Sequence, residues 1–160
     1  MAIQVGEKLP QVKFKHLTKD GMKELSTDDV FKGKKVALFA LPGAFTPTCS
    51  AKHLPGYVQH AKDLHHKGID SIVCLSVNDA FVMDAWGRDQ RVGEKVLMLA
   101  DGNAEFTKAL GLEMDASGYG MGTRSKRYSM VVDDGVVRAV NVEKPGEFGV
   151  SSAETMLTQV

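Results

Sequence analysis

Three apolar stretches set the frame of this chain. Lys35–Leu41 (KVALFAL), residues 69–77 (IDSIVCLSV) and residues 96–100 (VLMLA) read as strands buried on both faces of a parallel sheet. Helical spacing lies between and beyond them. From about residue 49 to residue 67, Leu54, Tyr57, Val58, Ala61 and Leu64 recur on one face, Gly68 suits the C-terminal cap, and Pro55-Gly56 should kink the helix. Residues 79–90 form a helical candidate behind Asn78 as cap, and residues 103–110 a short helix stopped by Gly111. Residues 128–132 and Val136–Val142 flank Asp133-Asp134-Gly135, a strong hairpin signal. The first 34 residues are turn-rich, with a turn at Lys19-Asp20-Gly21 and a short helix near Thr27–Phe31, and the chain from Ser151 onward reads as helical.

The resulting order, β-α-β-α-β-α-β-β-α, predicts an α/β architecture: a central mixed sheet, parallel in one part, closed by an antiparallel hairpin and covered by helices on both faces. A thioredoxin-like fold fits that order. With 160 residues, 43% of them hydrophobic, the chain suits one domain over 1–160. Twenty basic residues balance twenty acidic ones, which argues against nucleic acid or an anionic membrane as partner. No stretch has the length of a membrane span, and the N-terminal residues lack the apolar core of a secretory signal, so a cytoplasmic location is expected. Two cysteines are too few for a disulfide framework. Cys49-x-x-x-His53 has no second pair to complete a metal set, and no cofactor is expected.

A site is expected at the βα junction after the first central strand. The junction reads Pro42-Gly43-Ala44-Phe45-Thr46-Pro47-Thr48-Cys49. Thr46 is a good N-cap and Pro47 a good first helical residue, which places Cys49 in the first turn, where free N–H groups and the helix dipole favour an anion. Thiolate is the nucleophilic form of cysteine. Gly43 lets the backbone approach a ligand, and Pro42 stiffens the loop. On these grounds alone a reactive thiol competes with an inert buried cysteine.

The form P-x-x-x-T-x-x-C on Pro42, Thr46 and Cys49 resembles the peroxiredoxin signature, and PGAFTPTCSAKHLPGY resembles the type II plant and mammalian atypical subfamily. CLSVNDAFVMDAWG (74–87), LADGNAEFTKALGL (99–112) and RSKRYSMVVDDGVV (124–137) extend the likeness from about Val5 to the C-terminus. The resemblance implies a thiol-dependent peroxidase acting on hydrogen peroxide and alkyl hydroperoxides. Cys49 would be the peroxidatic cysteine, Thr46 would hydrogen-bond the peroxide, Pro42 would shield the sulfur, and Arg127 would be the active-site arginine. Gly43 and Cys49 N–H groups are further candidate donors, and Phe45 and Leu112 candidate apolar neighbours of the substrate. Arg124 and His53 are supporting candidates, with solvated or purely structural roles as the alternatives; Lys126 shares the solvated alternative. Phe45, Phe81, Trp86 and Tyr119-Gly120-Met121-Gly122 are candidates for a homodimer surface.

No cysteine stands in the stretch Phe-Gly-Val-Ser-Ser-Ala (148–153), where mammalian-type members carry their resolving cysteine. Cys74 resembles a second cysteine of plant members, but its mid-strand position favours a structural role, since a disulfide needs Cα atoms within about 7 Å. An external thiol is then expected as reductant, glutathione with glutaredoxin first and thioredoxin second. A general thiol–disulfide oxidoreductase is opposed by Thr46 standing where the first cysteine of C-x-x-C would be. A peroxide sensor or a binding module on the same fold is the remaining alternative, and a mere binding module would have no need for both Thr46 and Arg127.

Overall fold

The computed structural model describes residues 2–160. The chain opens with a hairpin, β1 (Lys13–Thr18) and β2 (Gly21–Ser26), followed by α1 (Thr27–Phe31). Ser26 caps α1 through Asp29 N–H while the Asp29 carboxylate accepts from Ser26 N–H, a reciprocal capping box. Next come β3 (Lys35–Leu41), α2 (Leu54–Gln59), α3 (Ala61–His66), β4 (Ser71–Ser76), α4 (Ala80–Asp89) and β5 (Leu97–Ala100). The chain ends with α5 (Glu105–Leu110), β6 (Glu113–Asp115), β7 (Thr123–Ser125), β8 (Tyr128–Asp133), β9 (Val136–Val142) and α6 (Ala153–Leu157).

Seven strands form one sheet in the order β2-β1-β5-β4-β3-β8-β9; β6 and β7 pair separately. The three apolar runs are its parallel centre, β5-β4-β3, and the β8–β9 hairpin continues it antiparallel from β3. Strand alternation divides the core in two. Phe39, Leu41, Ile72 and Cys74 face one cluster, with Leu54, Tyr57, Met83, Trp86 and Met156. Val36, Leu38, Val73 and Leu75 face the other, with Phe14, Phe31, Phe106 and Leu112. Every side chain of β3 from Val36 to Leu41 is sealed from solvent, which is why β3 has no polar alternation.

The mixed sheet with helices on both faces is the expected architecture. The differences are local. The β1–β2 hairpin, only partly buried, and the β6–β7 pair, of three residues each, lie outside the predicted strand order. The helix expected from about 49 to 67 is in three pieces. It starts at Pro47, runs as a π turn over Cys49–His53, continues as α2, breaks at His60 and resumes as α3. Leu54 N–H reaches back five residues to Cys49 O, and Pro55 has no N–H with which to restore the α pattern. Asp79, not Asn78, caps α4, its carboxylate accepting from Val82 N–H at 2.9 Å. Asp101 serves the start of α5 from outside it, its carboxylate accepting from the Phe106 and Thr107 N–H groups.

Candidate active site

Beyond Leu41 the chain makes a tight loop that several elements hold from outside. Arg124, on β7, donates from Nη1 to Pro42 O at 3.2 Å and from Nε to Met121 O at 3.1 Å. A Cβ at residue 43 would lie 2.8 Å from Arg124 Nη1 and 3.3 Å from Thr46 Cγ2, so Gly43 is what lets that guanidinium pass. Asn78 Oδ1 accepts from Ala44 N–H at 3.0 Å and from the Ser76 hydroxyl at 2.6 Å, tying the loop to the end of β4. Phe45 sits at φ 62°, a left-handed conformation that costs a side chain on the order of 1–3 kcal/mol and survives where surrounding contacts fix it.

Thr46 occupies the cap position by its backbone, since its carbonyl accepts from Ser50 N–H at 2.9 Å. Its hydroxyl does not cap. It donates to Gly43 O at 2.7 Å, which leaves the oxygen lone pairs for a hydrogen-bond donor such as a hydroperoxide proton. Among the described residues, the N–H groups of Gly43 and Cys49 have no protein acceptor. They keep the donor capacity expected of them.

Cys49 is sealed from solvent, and Arg127 approaches its sulfur from just before β8, with Nη2 3.1 Å from Sγ. A guanidinium always carries charge and only donates, so this contact sets a fixed positive charge and a hydrogen-bond donor against the sulfur. Nη1 of the same group lies 2.9 Å from His53 Nδ1. That distance fixes the histidine's state: Nδ1 must accept, so the proton sits on Nε2, which donates to Ser151 O at 3.1 Å. Burial first, and the Arg127 charge second, push the His53 imidazole down to about 3, so it is neutral throughout the physiological range. His53 therefore braces Arg127 and has no free lone pair with which to act as base. Phe148 closes the cluster, its ring centre 5.1 Å from the His53 ring and 5.9 Å from Arg127 Cζ.

Cys49, Thr46, Gly43, Pro42, Arg127, His53 and Arg124 thus come together. Other expected site residues do not. Leu112 is buried in the core cluster on the opposite face of the sheet, so it is a packing residue and not a neighbour of the substrate. Cys74 is at mid-β4 between Phe39 and Met98, fully buried, unbonded to Cys49, and its thiol is pushed up by burial. Trp86 is fully buried and bonds the Ser50 hydroxyl at 3.0 Å, so it braces the start of the helix and forms no part of an exposed dimer surface. Phe45, Phe81 and Tyr119 are exposed, and Lys126 is solvated. His60 reaches Asp63 and Glu154, and His65 bonds Ile69 O, away from Cys49. Asn78, Glu143 and Ser151 were not legible as site residues. Asn78 sits where a helix cap is expected, and Ser151 acts through its backbone carbonyl, which no side-chain pattern reveals.

The redoxin family model matches residues 4–157. The chain is 52% identical to the chloroplastic peroxiredoxin-2E-2 of rice, Oryza sativa subsp. japonica, over 97% of this chain and 71% of that protein. It superposes on the crystal structure of reduced Prx3 in complex with hydrogen peroxide from Vibrio vulnificus with a TM-score of 0.95, at 57% identity over 98% of each chain. A crystal structure from Burkholderia cenocepacia, described provisionally as a thioredoxin reductase, is similar with a TM-score of 0.98 and 53% identity over 100% of this chain and 99% of that one.

Proposed function

We propose residue roles and a reductant for this chain from one premise: it belongs to the redoxin family and within it to the peroxiredoxins, thiol-dependent peroxidases. Cys49 is the peroxidatic cysteine. The observation that carries this is Arg127 Nη2 at 3.1 Å from Sγ, held there by a neutral His53. The thiolate attacks one oxygen of a hydroperoxide. An S–O bond forms, the O–O bond breaks, and water or an alcohol leaves after taking a proton, so sulfur is oxidised by two electrons to the sulfenic acid. Arg127 and the free N–H groups of Gly43 and Cys49 stabilise charge moving onto the departing oxygen. The Thr46 hydroxyl accepts from the hydroperoxide O–H, and Pro42 takes the shielding role that its place in the P-x-x-x-T-x-x-C segment implies. Hydrogen peroxide and alkyl hydroperoxides are the substrates.

The sulfenic acid is resolved by an external thiol. Cys74 is buried in mid-strand, with its thiol disfavoured as thiolate by the same burial. A groove of about 440 Å³ opens beside Pro42, Thr48 and Arg127, with Lys126, Lys144 and Glu147 on its walls. Among the described residues these three side chains form no ion pair. Free charges of both signs suit a small zwitterionic peptide thiol, so glutathione with glutaredoxin is the first choice of reductant and thioredoxin the second. Cys49 has no exposed surface, and its first helical turn must loosen before the thiol reaches it. Exposed Phe45, Phe81 and Tyr119 supply apolar surface for a homodimer.

The roles are tested by mixing enzyme with one equivalent of peroxide and trapping sulfenic acid by mass. One adduct on Cys49 per chain is expected; peroxide loss in Cys49→Ser at the wild-type rate would refute the assignment. A general thiol–disulfide exchange activity is opposed by Thr46, which leaves no C-x-x-C pair at the helix start.

A further inference from the structure

Residues 144–152, between β9 and α6, form a strap with little regular structure, yet its Ser151 is fully buried beside the site. One carboxylate holds it. Glu143, the first residue after β9, is itself buried, and its Oε2 accepts from Gly149 N–H at 2.6 Å, Ser151 N–H at 2.9 Å and the Ser151 hydroxyl at 2.6 Å. Three donors converging on one oxygen suit an anion, because hydrogen bonds to an ionised acceptor are shorter and stronger than those to a neutral one. Burial pushes the Glu143 carboxyl up, but these hydrogen bonds outweigh it and hold the group below the usual carboxylate range.

What the strap presents matters more than the strap itself. With its N–H and hydroxyl spent on Glu143, Ser151 turns its carbonyl inward. There it accepts from His53 Nε2 at 3.1 Å and from the Tyr57 hydroxyl at 2.9 Å. His53 Nδ1 then receives Arg127 Nη1, and Arg127 Nη2 reaches Cys49. Glu143 also grips Arg127 from the main chain, its N–H donating to Arg127 O at 2.9 Å. A continuous path of hydrogen bonds thus runs from a carboxylate at the end of β9 to the reacting sulfur, with no step longer than 3.1 Å.

We propose that Glu143 is a positioning residue for the peroxidase reaction: by anchoring Ser151 it sets the His53 tautomer and, through it, the direction in which Arg127 points at Cys49. Glu143 touches neither sulfur nor peroxide. Its effect is geometric, because a guanidinium must be held to within tenths of an ångström to stabilise charge on a departing oxygen. The inference rests on the roles given to Cys49 and Arg127 above.

The test compares wild type with Glu143→Gln and Glu143→Ala in two measurements. The first is the second-order rate of Cys49 oxidation by hydrogen peroxide. The second is the ¹⁵N spectrum of the His53 ring in the reduced enzyme, which reports the tautomer and needs no peroxide. Failure of this inference is thereby distinguishable from failure of the Cys49 assignment. Loss of rate on the order of 10–100-fold is expected in Glu143→Ala, the usual scale for removing a partner that orients a reacting group. His53 should then lose its single Nε2–H signature. Glu143→Gln, which keeps an acceptor oxygen, should fall between, within roughly tenfold of wild type. A folded Glu143→Gln with wild-type rate and wild-type His53 spectrum overturns the proposal. So does a lowered melting temperature with both readouts unmoved, since that marks a purely structural anchor. If Glu143→Ala does not fold, the glutamine variant decides alone.

Discussion

Cys49 and Cys74 are both sealed from solvent and pack into the same apolar cluster, and no disulfide joins them. Their surroundings nonetheless differ in kind. Cys74 is a rung of a central parallel strand, its backbone spent on β3 and β5 and its thiol pushed up by burial. Cys49 stands one loop beyond the end of β3, with its N–H unspent and a guanidinium nitrogen 3.1 Å from its sulfur. Burial alone makes a cysteine inert. Burial beside a fixed cation and a helix start surrounds a sulfur with donors and positive charge while shielding it from water, which strengthens each electrostatic contact it makes. Reactivity follows from what shares the buried space with the thiol, not from exposure.

That contrast can be broken in graded steps. Cys49→Ser should abolish peroxide reduction, by on the order of 10³-fold or more, because no second group supplies the nucleophile. The same substitution at Cys74 should leave the rate of peroxide consumption within about twofold, with glutathione and glutaredoxin supplied as reductant. Loss of all turnover in Cys74→Ser would show the buried thiol to be the resolving one. Arg127→Lys keeps a positive charge but cannot span Cys49 and His53 together, so the second-order rate should fall by roughly 10²-fold in stopped-flow oxidation.

The acid response of His53 gives a smaller effect. The folded protein holds it neutral down to about pH 3, whereas an unfolded histidine titrates near its ordinary value of 6.5. Below that value only the unfolded chain takes up the proton, so stability present above pH 6.5 is lost as the pH falls. About 2 kcal/mol should go by pH 5. Urea midpoints at pH 7.5 and pH 5.0 should show His53→Gln losing less on acidification than wild type; an equal loss would mean that His53 is not the group excluded from protonation. Asn78→Ala should cost less stability than that acid shift, on the order of 1 kcal/mol, with a few-fold loss of rate, through release of Ala44 N–H.

The centre of this molecule was legible because its residues obey local rules. Unbroken apolar runs can hardly be anything but strands covered on both sides, Asp134-Gly135 closes the last hairpin, and Pro47 starts a helix wherever it follows a threonine cap. The P-x-x-x-T-x-x-C segment puts Cys49 at the helix start for the same reason: the loop, the cap and the thiol are neighbours in sequence. Elements held by distant contacts were harder. The π turn over Cys49–His53 depends on Pro55 and on packing around it, and β6 and β7 are too short to carry a pattern. Leu112 lies in a segment that resembles the family but faces the other side of the sheet, which no linear reading separates from facing the site.

Local sequence suffices for the parallel centre of the sheet and for the anion-favouring helix start that receives Cys49, since both follow from hydrophobic period and from residues a few positions apart. Only the tertiary structure decided what stands against that sulfur. Arg127 lies 78 residues from Cys49 and His53 lies 98 from Ser151, and their meeting depends on β8 pairing with β3 and on the strap folding back over α2. Hydrogen bonds of this kind are made by direction and distance in three dimensions. The sequence pattern carries side-chain type and local period, and the Ser151 carbonyl that fixes the histidine belongs to the backbone that every residue shares.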